Sequence, residues 1–363
     1  MIERFQEVVV TGPNQVELRA GELDLTCIDP HQVIIETDCT IISSGTEIAN
    51  YTGKAPKVFQ KGSWCAYPWR SGYANVGTVR ALGKAVTRTH VGERVFTFAN
   101  HASLVSYNVF SRNPTVNTPT GDTQTEERLI FPIPPGMDSG IAVSACMAWI
   151  AATALLVSKL ENDPWVVVFG LGMVGNLAAQ IYQLRGFRVI GVDPLPSRCE
   201  LARRCGIYHT VASQANAAIE QVKQITNGAM GGIVVEAVGH SAVALQALRA
   251  TATLGQLVLL GTPRVPVPAD LTEFLSDVHL RGIVVRGALT GRFSAYPDAY
   301  RRPSHYGTFQ MILDWIQRGL LKLEPLISHR LPPGRIVEAY NGLRDHPEIF
   351  TGVVLDWRRR DGP

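Results

Sequence analysis

The sequence predicts an α/β protein of two domains, a β-rich one interrupted by a doubly wound parallel sheet. Three observations carry that prediction. At 363 residues the chain is long enough for two domains. Its first hundred residues hold short β-branched or aromatic runs bounded by Gly, Pro, Asn and Asp, the texture of strands joined by turns. From residue 165 onward, apolar strands alternate with helical stretches, as they do in a parallel sheet with helices on both faces.

Taken in order, residues 7–11, 32–40, 74–80 and 94–98 read as strands, with Val91-Gly92-Glu93-Arg94 a tight turn feeding the last. Residues 111–128 are polar without periodicity and read as a long loop. Residues 140–157 carry no charge over eighteen positions, the lower limit of a bilayer span. Their Ala, Ser and Thr content fits a buried core helix better. Strands are expected at 165–169, 188–192, 232–237, 256–260 and 282–286, with helices through Arg185 and over 197–205. The tail reads as helices at 308–318 and 335–343 and a closing strand at 352–356. The first domain is therefore expected to be discontinuous, 1–147 with 290–363, around a second at 148–289.

Composition narrows the function. Hydrophobic residues at 46% and charged residues at 18% supply sizeable cores and exclude a disordered chain. A net charge of +3, with its one basic cluster at Arg358-Arg359-Arg360, gives no footprint for nucleic acid. The six cysteines form no C-x-x-C pair, so neither a zinc knuckle nor a disulfide framework is indicated. Free thiols in a reducing cytoplasm are expected, and the opening MIERFQEVVV carries charges where a signal peptide has its apolar region. The expected partner is a small molecule, with neither membrane nor nucleic acid involved.

The strand over 165–169 runs directly into Gly170-Leu171-Gly172-Met173-Val174-Gly175, a G-x-G-x-x-G with a strand before and a helix after. Gly170 permits the tight turn, Gly172 the close approach of a pyrophosphate, and Gly175 close helix–strand packing. The helix start supplies unpaired N–H groups for phosphates. Asp193 ends the next strand, 23 residues after Gly170, where a carboxylate accepts hydrogen bonds from ribose hydroxyls. A carboxylate there repels a 2′-phosphate, so NAD(H) is favoured over NADP(H). Arg198, five residues on, could pair with such a phosphate or stack on adenine.

With these features the sequence resembles the medium-chain dehydrogenase/reductase superfamily over essentially its whole length. The resemblance implies a GroES-like catalytic domain, an inserted Rossmann domain and a returning C-terminal segment. Ser44-Gly45-Thr46-Glu47 resembles the family's C-G-T-D element, and Gly72-Tyr73-Ala74-Asn75-Val76-Gly77 its G-H-E-x-x-G. Val91-Gly92-Glu93-Arg94-Val95 resembles its G-D-R-V turn, and Thr153 the threonine beside the nicotinamide. Gly239, Gly261 and Leu289, just past later strands of the sheet, complete the candidate cofactor contacts. The departures are as informative. Where zinc alcohol dehydrogenases hold their catalytic metal, this chain has Ser44, Tyr73 and Trp149, which offer a hydroxyl, a phenol and an indole. Zinc takes thiolate, imidazole or carboxylate at about 2.0–2.3 Å. Cys146 lies three residues off that register, and the four-cysteine structural lobe is missing. Both zincs are expected to be absent. Among zinc-free branches, Ile42 to Glu47 and Ala151-Ala152-Thr153-Ala154 resemble the bacteriochlorophyllide a hydroxyethyl dehydrogenases, with the zeta-crystallin quinone reductases as the competitor.

Without a Lewis acid, a carbonyl oxygen that gains charge needs a proton donor. Tyr73 is the candidate general acid, with Ser44 and Thr46 orienting the carbonyl or relaying the proton. The alternative is a ring that only fills the emptied metal site. Tyr51, Trp69 and Trp149 are candidate substrate contacts, and Trp64 and Phe59 add to an aromatic crowd that suits a bulky substrate. Arg292, Arg301, Arg302 and His305, around Asp298, read as a solvated face, and His90, His101, His209, His240, His279, His329 and His346 as surface or structural histidines. The expected reaction is the interconversion of a secondary alcohol and a ketone. The alternatives are reduction of an activated C=C bond and a non-catalytic nucleotide-binding protein. Residues 282–289 form an apolar edge suited to a homodimer or homotetramer.

Overall fold

The computed structural model describes residues 2–111, 126–127, 129–159, 165–290, 293, 295 and 304–359. Most of the polar stretch at 111–128, together with Arg292, Asp298, Arg301, Arg302 and Arg360, lies outside them. The chain divides into two compact units. One comprises Met1–Cys146, Phe293–Leu313 and Ile327–Pro363, and the other Met147–Arg292 and Asp314–Leu326.

The first unit is antiparallel in the main. Ile2–Gly12 and Gln15–Asp24 form a hairpin, and Trp69–Arg70 pairs with the other edge of Ile2–Gly12. The turn is Pro13-Asn14, with Asn14 at φ 58°; proline then left-handed asparagine is the type II pattern. Both hairpin strands outrun the 7–11 reading because Gln15–Asp24 alternates half-buried and exposed positions and shows no apolar run. A second sheet runs Ile130–Pro132, Arg94–Thr97, Asn75–Leu82, Gln32–Ile42, Val353–Asp356, His329–Leu331, with Leu104–Asn108 also paired to Gln32–Ile42. The two strands from the tail enter this sheet through Val353 opposite Ile42, which makes the unit discontinuous in sequence. One core cluster joins Val8, Val10, Ile42, Tyr51, Trp69, Tyr340, Val353 and Leu355.

The second unit holds a parallel sheet in the order His209–Ala212, Arg188–Asp193, Trp165–Phe169, Gly231–Glu236, Thr251–Leu259, Val284–Gly287. Every residue of Trp165–Phe169 and Gly231–Glu236 is buried, which explains their continuous apolar text. Strand order reverses between these two, so the crevice at their carboxyl ends is where such sheets bind ligands. Asp314–Leu326 groups with this unit. Gln180 donates to the Lys322 carbonyl and accepts from the Lys322 N–H, clipping the segment onto helix Met173–Leu184.

Helix Ser139–Val157 is, among the described residues, the one helix long and apolar enough to cross a bilayer, and 72% of its apolar window is buried inside protein. Its hydrophobicity is used in a protein core.

Candidate active site

In the second unit, strand Trp165–Phe169 ends on Gly170 at φ 92°, and helix Met173–Leu184 starts from Gly172 with no side-chain cap on its first amides. Those N–H groups and the helix dipole suit a phosphate. A Cβ at 175 would lie 1.8 Å from the Gly170 carbonyl oxygen, so the turn closes only on glycine. Asp193 is 1% exposed and accepts hydrogen bonds from the Leu171 N–H at 2.8 Å and the Leu195 N–H at 2.9 Å. It thus ties the loop to the neighbouring strand while keeping lone pairs for sugar hydroxyls. The Arg198 guanidinium stands 3.5 Å from Asp193 and 4.0 Å from where a Cβ on Gly172 would be. Acid and base therefore meet beside the same loop.

Across the crevice, Glu236 ends its strand fully buried and accepts the N–H groups of Val238 and Gly239, both at 2.8 Å. Burial pushes its carboxyl above the usual carboxylate range. The turn it fixes carries Gly239 at φ 77°, and Gly261 is packed so tightly on it that a Cβ would lie 2.2 Å from the Gly239 nitrogen. A Cβ on Gly170 would strike Val238 at 2.7 Å, so the two loops touch. Sequence reasoning missed Glu236. Thr153 is buried on its helix and Leu289 is 60% exposed. Gly170, Gly172, Met173, Val174, Gly175, Asp193 and Arg198 come together, and they fit a dinucleotide.

The first unit assembles a different cluster. Tyr73 is partly accessible, and its environment pushes the phenol above the ordinary tyrosine value, with the nearby Ser43 and Thr46 side chains pulling the other way. Burial is the largest cause. Beneath the Ser43–Thr46 turn lies Glu47, 0% exposed. Its Oε1 accepts the Ser43 N–H at 2.8 Å, and its Oε2 accepts the Tyr340 hydroxyl at 2.7 Å and the His101 Nε2–H at 2.9 Å. The Ser43 hydroxyl accepts the Thr46 N–H at 3.3 Å, a reciprocal arrangement like a capping box at the start of helix Thr46–Tyr51. The Cys146 thiol, fully buried, is pushed up by desolvation and by Glu47.

Other expected site residues are placed differently. Ser44 is exposed, and its neighbour Ser43 makes the contact with Tyr73. Tyr51 is 1% exposed, packs edge-on to Tyr340 and donates its hydroxyl to Asn341 at 2.8 Å, so it belongs to the core and offers no surface to substrate. Trp69 is 5% exposed, pairs with Val10 in the sheet and packs edge-on to the half-exposed Trp64. Trp149 is partly accessible. His305 is half-buried against Phe293 and pushed down to about 4 by desolvation, so it is neutral at pH 7 instead of part of a solvated cationic face. His101, read as a structural histidine, is the buried partner of Glu47.

The donor set does not fit a catalytic zinc. A hydroxyl, a protonated phenol and an indole stand at the three expected positions, and Glu47 already accepts three hydrogen bonds. Among the described residues no three His, Cys, Asp or Glu side chains converge as a metal would need.

Comparison with known proteins agrees with this architecture. A family model described as zinc-binding dehydrogenase matches residues 173–303. L-threonine 3-dehydrogenase of Bacillus velezensis is 24% identical over 348 residues, covering 90% of this chain and 92% of that protein. The structure of galactitol-1-phosphate dehydrogenase from Escherichia coli superposes with a TM-score of 0.76 at 16% identity, covering 97% of this chain and 99% of that one. An Escherichia coli alcohol dehydrogenase solved with NADH gives 0.74 at 17% identity, covering 98% and 99%. The glycine loop, the reversed strand order and these full-length likenesses agree: the chain resembles the medium-chain dehydrogenase/reductases over nearly its whole length and carries the nucleotide loop that NAD(P)-dependent oxidoreductases use.

Proposed function

We propose that the protein is a zinc-independent oxidoreductase that interconverts a ketone and a secondary alcohol on a fairly bulky substrate, with NAD(H) preferred and Tyr73 as the proton donor. The observation that supports it most directly is a phenol kept protonated by its buried surroundings, beside the Ser43 and Thr46 side chains, at the position where the family's zinc branch has a metal-binding histidine. A bound nicotinamide supplies or accepts hydride at the carbonyl carbon. The chain's own part is to hold the oxygen and its proton. An alkoxide is more basic than a phenolate, so Tyr73 gives its proton downhill as charge develops, and Thr46 and Ser43 orient the phenol. Asp193 supports NAD(H) through its capacity for ribose hydroxyls, while Arg198 beside it leaves room for a 2′-phosphate. The buried free thiols Cys39, Cys65, Cys146, Cys199 and Cys205 agree with a cytoplasmic setting.

A panel of aryl and branched ketones against a panel of enones and quinones, each run with NADH and NADPH, tests the reading. Ketone reduction at least about tenfold faster than C=C reduction, and NADH favoured by about 1.4 kcal/mol or more in kcat/KM, is the expected result. Activity confined to the enones, or to neither panel, removes the ketone reading.

We also propose that a second copy covers the sheet edge. Strand Val284–Gly287 ends the sheet with Val284 and Val285 41% and 38% exposed, and helix Leu271–Arg281 beside it buries none of its residues. Leu271 and Leu275, one turn apart, are exposed on that helix, an apolar strip of the kind that oligomers cover. Val285→Asp should convert a dimer to a monomer by light scattering at micromolar concentration, and a wild-type monomer sinks the proposal.

A further inference from the structure

We infer that Glu47, His101 and Tyr340 form a buried positioning unit that holds the Tyr73 hydroxyl where the substrate oxygen must be met. This rests on the reading of Tyr73 as proton donor. The unit joins parts of the chain far apart in sequence: a short helix at 46–51, the loop after strand Arg94–Thr97, and helix Ile336–Asp345. All three side chains are 0% exposed, and both carboxylate oxygens of Glu47 are occupied.

Tyr73 is tethered to this unit at both ends. Its hydroxyl lies beside the Ser43 and Thr46 side chains, and the turn that carries them is held through the Ser43 amide by Glu47 Oε1. Its backbone follows Gly72, at φ 96°, which is seated directly on His101: a Cβ there would lie 2.5 Å from the His101 nitrogen and 2.7 Å from its Cγ. The His101 ring is in turn oriented by a single hydrogen bond, since Nδ1 is buried with no partner among the described residues. The Nε2–H to Glu47 bond therefore sets the ring, the ring seats Gly72, and Gly72 aims Tyr73. An apolar trio would fill the same space, but it would not direct the Ser43 amide and the imidazole at once. His101 and Tyr340 reach no reacting atom in this arrangement; they act through Tyr73.

The test is steady-state kinetics of the full-length protein on a ketone that it turns over with NADH, with His101→Leu, His101→Gln, Tyr340→Phe, Tyr73→Phe and the double variant His101→Leu/Tyr73→Phe. His101→Leu should lower kcat by about 10–100-fold, the cost of a misplaced reacting group, with KM for NADH unchanged within about twofold. His101→Gln, whose amide N–H stands near the lost Nε2–H, should recover most of that loss. In the Tyr73→Phe background, His101→Leu should add no further loss. Wild-type kcat in folded His101→Leu beside an inactive Tyr73→Phe overturns the positioning unit alone. An equal loss from His101→Leu in both backgrounds also overturns it, because the effect then bypasses Tyr73. Wild-type kcat in Tyr73→Phe overturns the reading of Tyr73 and this inference with it. If His101→Leu does not fold, Tyr340→Phe carries the same outcomes, since it removes one hydroxyl and keeps the ring.

Discussion

Tyr73→Phe should lower ketone reduction by about 10²–10⁴-fold, the contribution of a lost general acid, and leave NADH affinity within about twofold. The ring stays, so a residue that only fills space predicts no loss. What disappears is the one O–H that stands beside the Ser43 and Thr46 side chains. The direction of its pKa shift adds a second measurable consequence. Burial raises the phenol above its ordinary value of 10.0, so the proton stays on through the neutral and mildly alkaline range. Reduction, which needs the protonated phenol, should therefore show no alkaline loss from this group up to about pH 10. Alcohol oxidation, which needs the phenolate as base, should still be rising there. An alkaline limb in the reduction profile below pH 9 that vanishes in Tyr73→Phe would sink the assignment, as would wild-type turnover by the variant.

How much of this was legible in the sequence depends on where each constraint is written. The nucleotide loop was readable because phosphate binding places glycines at fixed spacing within six consecutive residues, and the following strand ends on Asp193. The β-rich unit was readable where strands are apolar. It was unreadable at Gln15–Asp24, where a half-exposed strand carries no continuous run, and at Leu104–Asn108, a short buried strand interrupted by the exposed Ser106. Residues 47, 101 and 340 lie too far apart for spacing to connect them. One signal was available, since Glu47 is the only charged residue between Asp38 and Lys54. A lone acid in so uncharged a stretch asks for a partner.

Direction is harder still to read. Tyr51 and Trp69 are the right residue types for a substrate wall, but Tyr51 closes its helix facing Tyr340, and Trp69 faces the core from a two-residue strand. Of two adjacent serines, the turn exposes Ser44 and buries Ser43. Residue type carries the chemistry, whereas the backbone register decides which side receives it. Register at a tight turn is settled by contacts such as Glu47 to the Ser43 amide, made four residues away.

Gly175→Ala should weaken NADH binding by about 100-fold, or about 2.7 kcal/mol, and lower the melting temperature as well. The added methyl would sit 1.8 Å from the Gly170 carbonyl oxygen and 3.1 Å from the Ala237 side chain. The first contact is with backbone, so no rotamer relieves it and the turn itself must open. Opening it moves Gly170 off the Val238 loop and shifts the Leu171 N–H that Asp193 accepts at 2.8 Å. Phosphate and ribose contacts are thus expected to fail together, which is why the predicted loss exceeds that of one hydrogen bond, about 0.5–1.5 kcal/mol. Overpacking of this kind costs about 1–3 kcal/mol of stability. That corresponds to about 2–4 °C per kcal/mol for a chain of a few hundred residues. Gly287→Ala is the control, since a Cβ there meets nothing within 4 Å. It should leave both quantities within about 0.5 kcal/mol. Fluorescence titration with NADH and a thermal melt on the same samples separate the two effects. A Gly175→Ala protein that binds NADH as tightly as wild type would mean that the loop does not cradle the pyrophosphate, and the dinucleotide would have to bind elsewhere.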